Sequence, residues 1–332
     1  MKRSIQVIFP IFSFIAFAPF ACQKTYNLAP LPVPSATPTI TLSPTITNTP
    51  TITNTPTITA TPTMTGTPVN LGKIAFSGFY LNAGIYVMDV NGANMTQMPN
   101  HAVSAGSPAW SYDGTKIAFT DFNRNIYVMD ASGANQTQLT TNNDSNRPDW
   151  SRDGSRIIYT STVGLYSQIF VMNSNGTNKV QLTFDAYDNY CPSWSPDMSK
   201  ITFFSNRGAG QSGEYVMNPD GTNETFFLNV GGSSVRWSPD GSRLVFIAVD
   251  AVYNQTQIFV VNSNGSGIQQ LTSTLQANTD PAWSPDGTQI VFVSWRTGDD
   301  QIYTMDSNGA NVVQLTNIVT ANWNYFYTPV WR

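Results

Sequence analysis

From residue 73 onward the chain alternates short apolar runs with polar, glycine-marked turns. One unit can be read in full. Ala109-Trp110-Ser111 is a short strand and Tyr112-Asp113-Gly114 a turn; residues 116–119 form a second strand and 126–129 a third. After Ala131-Ser132-Gly133-Ala134-Asn135, Thr137-Gln138-Leu139 is the fourth. Strands this short, parted by Gly and Asn that tolerate positive φ, predict antiparallel hairpins. The second-strand pattern recurs at 73–76, 156–159, 200–204, 243–246 and 289–292, and the third at 85–88, 169–172, 214–217, 258–261 and 302–305. Trp110, Trp150, Trp194, Trp237, Trp283 and Trp331 stand in register, each in a version of Pro-x-Trp-Ser-Pro-Asp-Gly and roughly 40 to 48 residues apart. That period, with four strands in each unit, predicts an all-β chain: a six-bladed β-propeller of four-stranded antiparallel blades over residues 71–332.

The Trp strands are displaced relative to the others. None precedes Lys73, while Thr328-Pro329-Val330-Trp331-Arg332 ends the sequence with nothing after it. The C-terminal strand is therefore expected to complete blade 1 and close the ring, removing an open sheet edge. The alternative is an open sandwich or solenoid, which would call for capping repeats. Met198 replaces the turn Gly in one unit and Val235 the Pro in another; both read as a weakened repeat without chemistry.

Residues 1–21 carry a basic start and an apolar run, the pattern of an export signal. Phe20-Ala21-Cys22 resembles the lipobox of bacterial lipoproteins, with Pro19 where Leu is preferred, so Cys22 is a candidate for lipidation; a plain secreted chain or an uncleaved anchor are the alternatives. Cys191 is then expected to be a buried thiol. Residues 25–70 hold no charged side chain, and Pro38, Pro44, Pro50, Pro56, Pro62 and Pro68 fall every six residues. Such text cannot build a core. Residues 22–70 are read as a Thr/Pro-rich disordered tether, able to reach about 100 Å at roughly 3 Å per residue. Net charge is −4 with 11% charged residues, which excludes a basic surface for nucleic acid.

Alternating strand direction sorts the loops onto two faces. One repeats the same Asp-Gly and Asn-x-x-Gly turns. The other varies in length and is aromatic, and loops that vary over a uniform scaffold are where binding concentrates. The candidate ligand-binding residues there are Tyr80, Tyr166, Tyr187, Tyr190, Tyr253, Trp295, Trp323, Tyr325 and Arg147. Arg207 and Arg296 occupy equivalent places and read as repeat structure. Asp89-x-Asn91-Gly92-x-Asn94 resembles the start of a calcium loop but lacks the closing acid, so plain turns, no metal and no cofactor are expected.

The phrase Pro-x-Trp-Ser-Pro-Asp-Gly-x-x-Ile-x-Phe, then Ile-Tyr-Val-Met-Asn/Asp-x-x-Gly-x-Asn, then Gln-Leu-Thr, best preserved over residues 281–292 and 301–316, resembles the TolB-type β-propeller repeat, and the resemblance covers residues 71–332. In TolB itself the propeller follows a smaller α/β domain and works in the periplasmic Tol–Pal envelope system; here a Thr/Pro-rich stretch precedes it. Together with the export signal and the lipobox-like Cys22, the resemblance leads to the expectation of an exported bacterial lipoprotein, periplasmic, anchored at the outer membrane or cell-surface, monomeric, and meeting the membrane only through its lipid.

His101 is the chain's one histidine, so a Ser-His-Asp triad would depend on it, and no Gly-x-Ser-x-Gly accompanies it. The leading expectation is a non-catalytic module, with no catalytic residue, that binds an envelope protein or glycan through the variable face. The alternative is a carbohydrate-active hydrolase or lyase using a pair among Asp121, Asp185, Asp188, Asp250, Asp299 and Asp300. A spacer without ligand is a third reading.

Overall fold

The computed structural model describes residues 72–78, 83–99, 105–208, 210–229, 235–318 and 326–332. The export signal, the tether, Cys22, Tyr80, His101, Trp323 and Tyr325 lie outside them.

The described residues form six four-stranded antiparallel sheets. Blade 2, for instance, runs outward as Gly106–Trp110, Lys116–Thr120, Ile126–Asp130 and Thr137–Gln138. Blade 3 begins at Ser145–Trp150, blade 4 at Asn189–Trp194, blade 5 at Arg236–Trp237 and blade 6 at Asn278–Trp283. Blade 1 takes its innermost strand, Phe326–Trp331, from the C-terminus, beside Lys73–Gly78. Lys73 and Arg332 exchange backbone hydrogen bonds of 3.3 and 3.0 Å. Closure thus follows the displacement of the Trp strands, and the open-sheet alternatives fall.

Each blade carries one stacked aromatic pair across its middle strands: Phe76–Tyr86, Phe119–Tyr127, Tyr159–Phe170, Phe203–Tyr215, Phe246–Phe259 and Phe292–Tyr303. Ring centroids lie 5.6 to 5.9 Å apart, offset-stacking range. Aliphatic side chains fill the gaps between blades, so the core is six inter-blade layers rather than one centre.

The repeated phrases have distinct structural roles. In Trp-Ser-Pro-Asp-Gly, the Ser hydroxyl donates to the Asp carboxylate, 2.6 Å for Ser111 to Asp113, and the Asp accepts the Thr115 N–H at 3.0 Å. Two of the Trp indoles reach back one blade: Trp150 Nε1 donates to the Ala109 carbonyl and Trp283 Nε1 to that of Arg236, both at 3.2 Å. The Asn-x-x-Gly turn also leans on its neighbour. Gly309 has φ +89°, and a Cβ there would stand 2.8 Å from the Leu271 carbonyl of blade 5. Only Gly meets both demands.

Asp89 bonds Lys73 at 2.5 Å and Asn94 at 2.6 Å, so the calcium-like loop is held as a turn by protein groups. Cys191 is buried but disulfide-bonded, which corrects the expectation of a thiol; Cys22, the only other cysteine, lies outside the described residues.

Candidate binding site

The variable face rests on a buried polar frame that decodes the Gln-Leu-Thr phrase. In blade 5, Thr272 Oγ1 accepts the Ile258 N–H at 2.9 Å and donates to Gln257 Oε1 at 2.8 Å. Asn278, from the next blade, donates to the same oxygen at 2.7 Å, and Gln257 Nε2 donates to the Thr274 and Gln276 carbonyls at 2.9 and 3.0 Å. Blade 3 repeats this through Gln168, Thr183 and Asn189, and blade 6 through Gln301 and Thr316. Gln257, Asn189 and Asn278 are wholly buried. The loops are therefore pinned from beneath, and their outer side chains are presented on a rigid base.

Those outer side chains are apolar. Tyr166, Tyr187, Tyr253 and Trp295 are exposed, joined by Phe122, Leu165, Phe184, Val252 and Leu275. Leu165 at 87% and Phe184 at 77% exposure are far outside what a folded chain needs for its own packing. The segments that carry Tyr166 and Tyr187 are tied together, because Asp188 accepts the Ser167 N–H at 3.0 Å and so joins the blade 3 hairpin to the following loop. Tyr253 and Trp295 belong to blades 5 and 6; Trp295 N–H donates to Ala277 at 3.1 Å, and Tyr253 N–H to Asp250 at 2.9 Å.

Tyr190 and Arg147 are placed differently. Tyr190 lies half-buried on the innermost strand of blade 4, its ring 5.1 Å from that of Phe204. Arg147 lies on the innermost strand of blade 3, with φ +55° at a β-bulge. The same bulge position carries positive φ at Ser107, Cys191, Asp280 and Thr328. Pro follows each, and the bulge turns these residues out of the ladder.

This interior holds a charged group that the sequence reading missed, apart from Arg147. Burial lowers the Arg147 pKa to about 10, while Asp280 on blade 6 pulls it back up. Burial likewise raises the Asp280 carboxyl, with Arg147 opposing, and raises Asp149, with Arg236 opposing. Asp149 also accepts the Trp194 N–H at 2.9 Å, bridging blades 3 and 4. Glu214 completes the group: burial raises its carboxyl well above the ordinary range, and Arg236 draws it down. The signal was present in the repeats. Position x of Pro-x-Trp reads Ala109, Asp149, Ser193, Arg236, Ala282 and Val330, so the charged copies stand out once aligned. Val235, read as chemically silent, is buried immediately before Arg236.

The remaining ionic groups brace the scaffold. Arg207 bonds Asp185 at 2.6 Å and pairs with Glu224, with its guanidinium 4.3 Å from the Tyr215 ring centre. Arg296 lies 4.5 Å from the Tyr303 ring centre and donates to Asn278 at 3.1 Å. This parallel bears out the reading of both Arg residues as repeat structure. Asp121 accepts the Asn125 N–H at 2.7 Å and Asp250 the Val252 N–H at 2.5 Å, so these carboxylates cap loops.

Comparison with known proteins agrees with this geometry. Residues 46–231 and 227–332 match the TolB beta propeller domain. A TolB homologue of Chlorobium chlorochromatii is 32% identical over 126 residues, which is 37% of this chain and 28% of that protein's length. Among solved structures, TolB from Acinetobacter baumannii superposes with a TM-score of 0.66 at 20% identity, over 78% of this chain and 66% of that one. A TolB-type protein from Agrobacterium tumefaciens gives 0.62 at 23% identity, over 74% and 89%. At such identities the structures speak to fold alone. The chain belongs to the TolB beta propeller domain family.

Proposed function

We propose that this is an exported, non-catalytic propeller, tethered at a bacterial envelope, that holds an envelope protein through its variable face. The observation that carries this reading is the set of exposed apolar side chains on a pinned base, Leu165, Tyr166, Phe184 and Tyr187 on one side and Val252, Tyr253, Leu275 and Trp295 on the other. Aliphatic groups do not stack on sugars, so Leu165, Val252 and Leu275 favour a protein over a glycan. Family membership supports a binding or scaffold role. Three of the Asp residues named for an enzyme are engaged, Asp121 and Asp250 as loop caps and Asp185 by Arg207, which weighs against the hydrolase or lyase alternative.

Affinity capture from envelope extract tests it, with the wild-type chain immobilised beside the Tyr187→Ala/Tyr253→Ala/Trp295→Ala variant. A protein retained only by the wild type is expected. Nothing retained, or equal retention on both columns, would remove the variable face from consideration.

In this reading the tether is fastened by lipid on Cys22. One sulfur cannot hold both a lipid thioether and a disulfide to Cys191. Cys191 is disulfide-bonded in the structure, so lipidation of Cys22 requires that bond to be absent and Cys191 to be a thiol in the anchored protein. Peptide mass analysis of unreduced protein from its own membranes is expected to show an acylated N-terminal Cys22. A Cys22–Cys191 cross-linked peptide would instead make the tether's start a loop fastened to blade 4, with no anchor.

A further inference from the structure

Glu214 stands where every other blade has isoleucine: Ile85, Ile126, Ile169, Ile258 and Ile302, all buried. Glu214 is itself 1% exposed, and neither carboxyl oxygen has a hydrogen-bond partner among the described residues. It lies on the third strand of blade 4, Gln211–Met217, opposite Phe204 and Leu228. The apolar layer at this junction comprises Val235, Phe246, Ala248 and Phe259 of blade 5 with Phe227 and Leu228 of blade 4. An ionised carboxylate without a partner is among the costliest groups to bury.

The same junction lacks the fastening found in blades 3, 5 and 6. Gly213 sits where blades 3, 5 and 6 have Gln168, Gln257 and Gln301. Leu228 sits where they have Thr183, Thr272 and Thr316, by the register of Tyr215 with Phe226.

We propose that Glu214 makes the junction of blades 4 and 5 a proton-operated seam. As a neutral acid it fits among apolar side chains; as an ion it loosens the junction and shifts the loops above it, including the one that carries Tyr253. The charged groups around it agree. Arg236, on the innermost strand of blade 5, is the cation that acts on it, and Arg236 also serves Asp149 and Asp280, with Arg147 beside them. On its own blade, Arg207 is taken up by Asp185 and Glu224. Among the described residues no cation is therefore reserved for Glu214.

Below the ordinary carboxylate pKa both folded and unfolded chains keep the proton, and Glu214 adds nothing to the pH dependence of stability. Above it the unfolded chain releases a proton that the fold retains, so stability falls with rising pH until the folded group ionises. Backbone hydrogen exchange at pH 5 and pH 8, corrected for the intrinsic rate, tests the seam directly in the full chain. Amides of 211–217, 225–228 and 236–249 are expected to exchange faster at pH 8, by up to about tenfold for each unit by which the folded pKa is raised. Blade 2 is expected to stay unchanged, and Glu214→Gln and Glu214→Ile to abolish the difference. The Ile variant reproduces the other five blades, which guards against a folding failure. A wild-type seam indifferent to pH, or a pH effect that survives both substitutions, would overturn the proposal.

Discussion

Met198 adopts φ +59° in a turn whose counterparts are Gly114, Gly154, Gly241 and Gly287. Its N–H still donates to Ser195 at 2.9 Å, as Gly114 does to Ser111, so the turn imposes its geometry on an unsuited residue. A left-handed backbone costs a Cβ-bearing residue about 1–2 kcal/mol, and Gly carries an entropic cost of about 0.5–1 kcal/mol in return. Met198→Gly is therefore expected to raise stability by about 0.5–1 kcal/mol, read as a higher urea midpoint at unchanged slope. A lower midpoint would show that Met198 packing outweighs the strain. This substitution was visible in the sequence because Gly is expected there. Glu214 was equally visible as a letter, but its meaning was not: a carboxylate on a strand is harmless at a surface and costly between blades, and only the fold says which.

The Gln-Leu-Thr phrase carries the loops of the variable face, and its parts act as one unit. Thr272→Val removes the acceptor of the Ile258 N–H and the donor to Gln257, leaving buried groups unpaired. Each such orphan costs about 1–3 kcal/mol. The expected outcome is a loss in that range, with faster amide exchange in loops 250–255 and 273–277 while blade 2 is unaffected. An unchanged midpoint would mean that water replaces the hydroxyl. Strand positions, blade count and the alternation of faces were all legible, because period-two apolar runs and Asp-Gly turns are local signals repeated six times. The frame beneath the loops was not, since Gln257, Thr272 and Asn278 meet across 15 to 21 residues and two blades. The candidate site was legible only by composition: Tyr166, Tyr187, Tyr253 and Trp295 are exposed, whereas Tyr190 and Arg147 turned out to lie on innermost strands.

Taken whole, the ring presents two unlike faces. One is a set of near-identical turns whose aspartates are held low, first by the neighbouring Ser hydroxyl, as at Asp113, Asp153 and Asp286. The other has loops that differ from blade to blade and expose apolar side chains on fixed supports. Ring closure by the C-terminal strand gives that second face a rigid frame, and rigidity lowers the entropy lost on binding. Dissociation constants for the captured partner discriminate most directly between the faces, using the wild type, the Tyr187→Ala/Tyr253→Ala/Trp295→Ala variant and the turn-face variant Tyr112→Ala. Aromatic anchors cost about 2 kcal/mol or more each when truncated, so affinity is expected to fall at least about a hundredfold in the triple variant and to hold in Tyr112→Ala. Undiminished affinity in the triple variant, or loss confined to Tyr112→Ala, would place binding elsewhere on the ring.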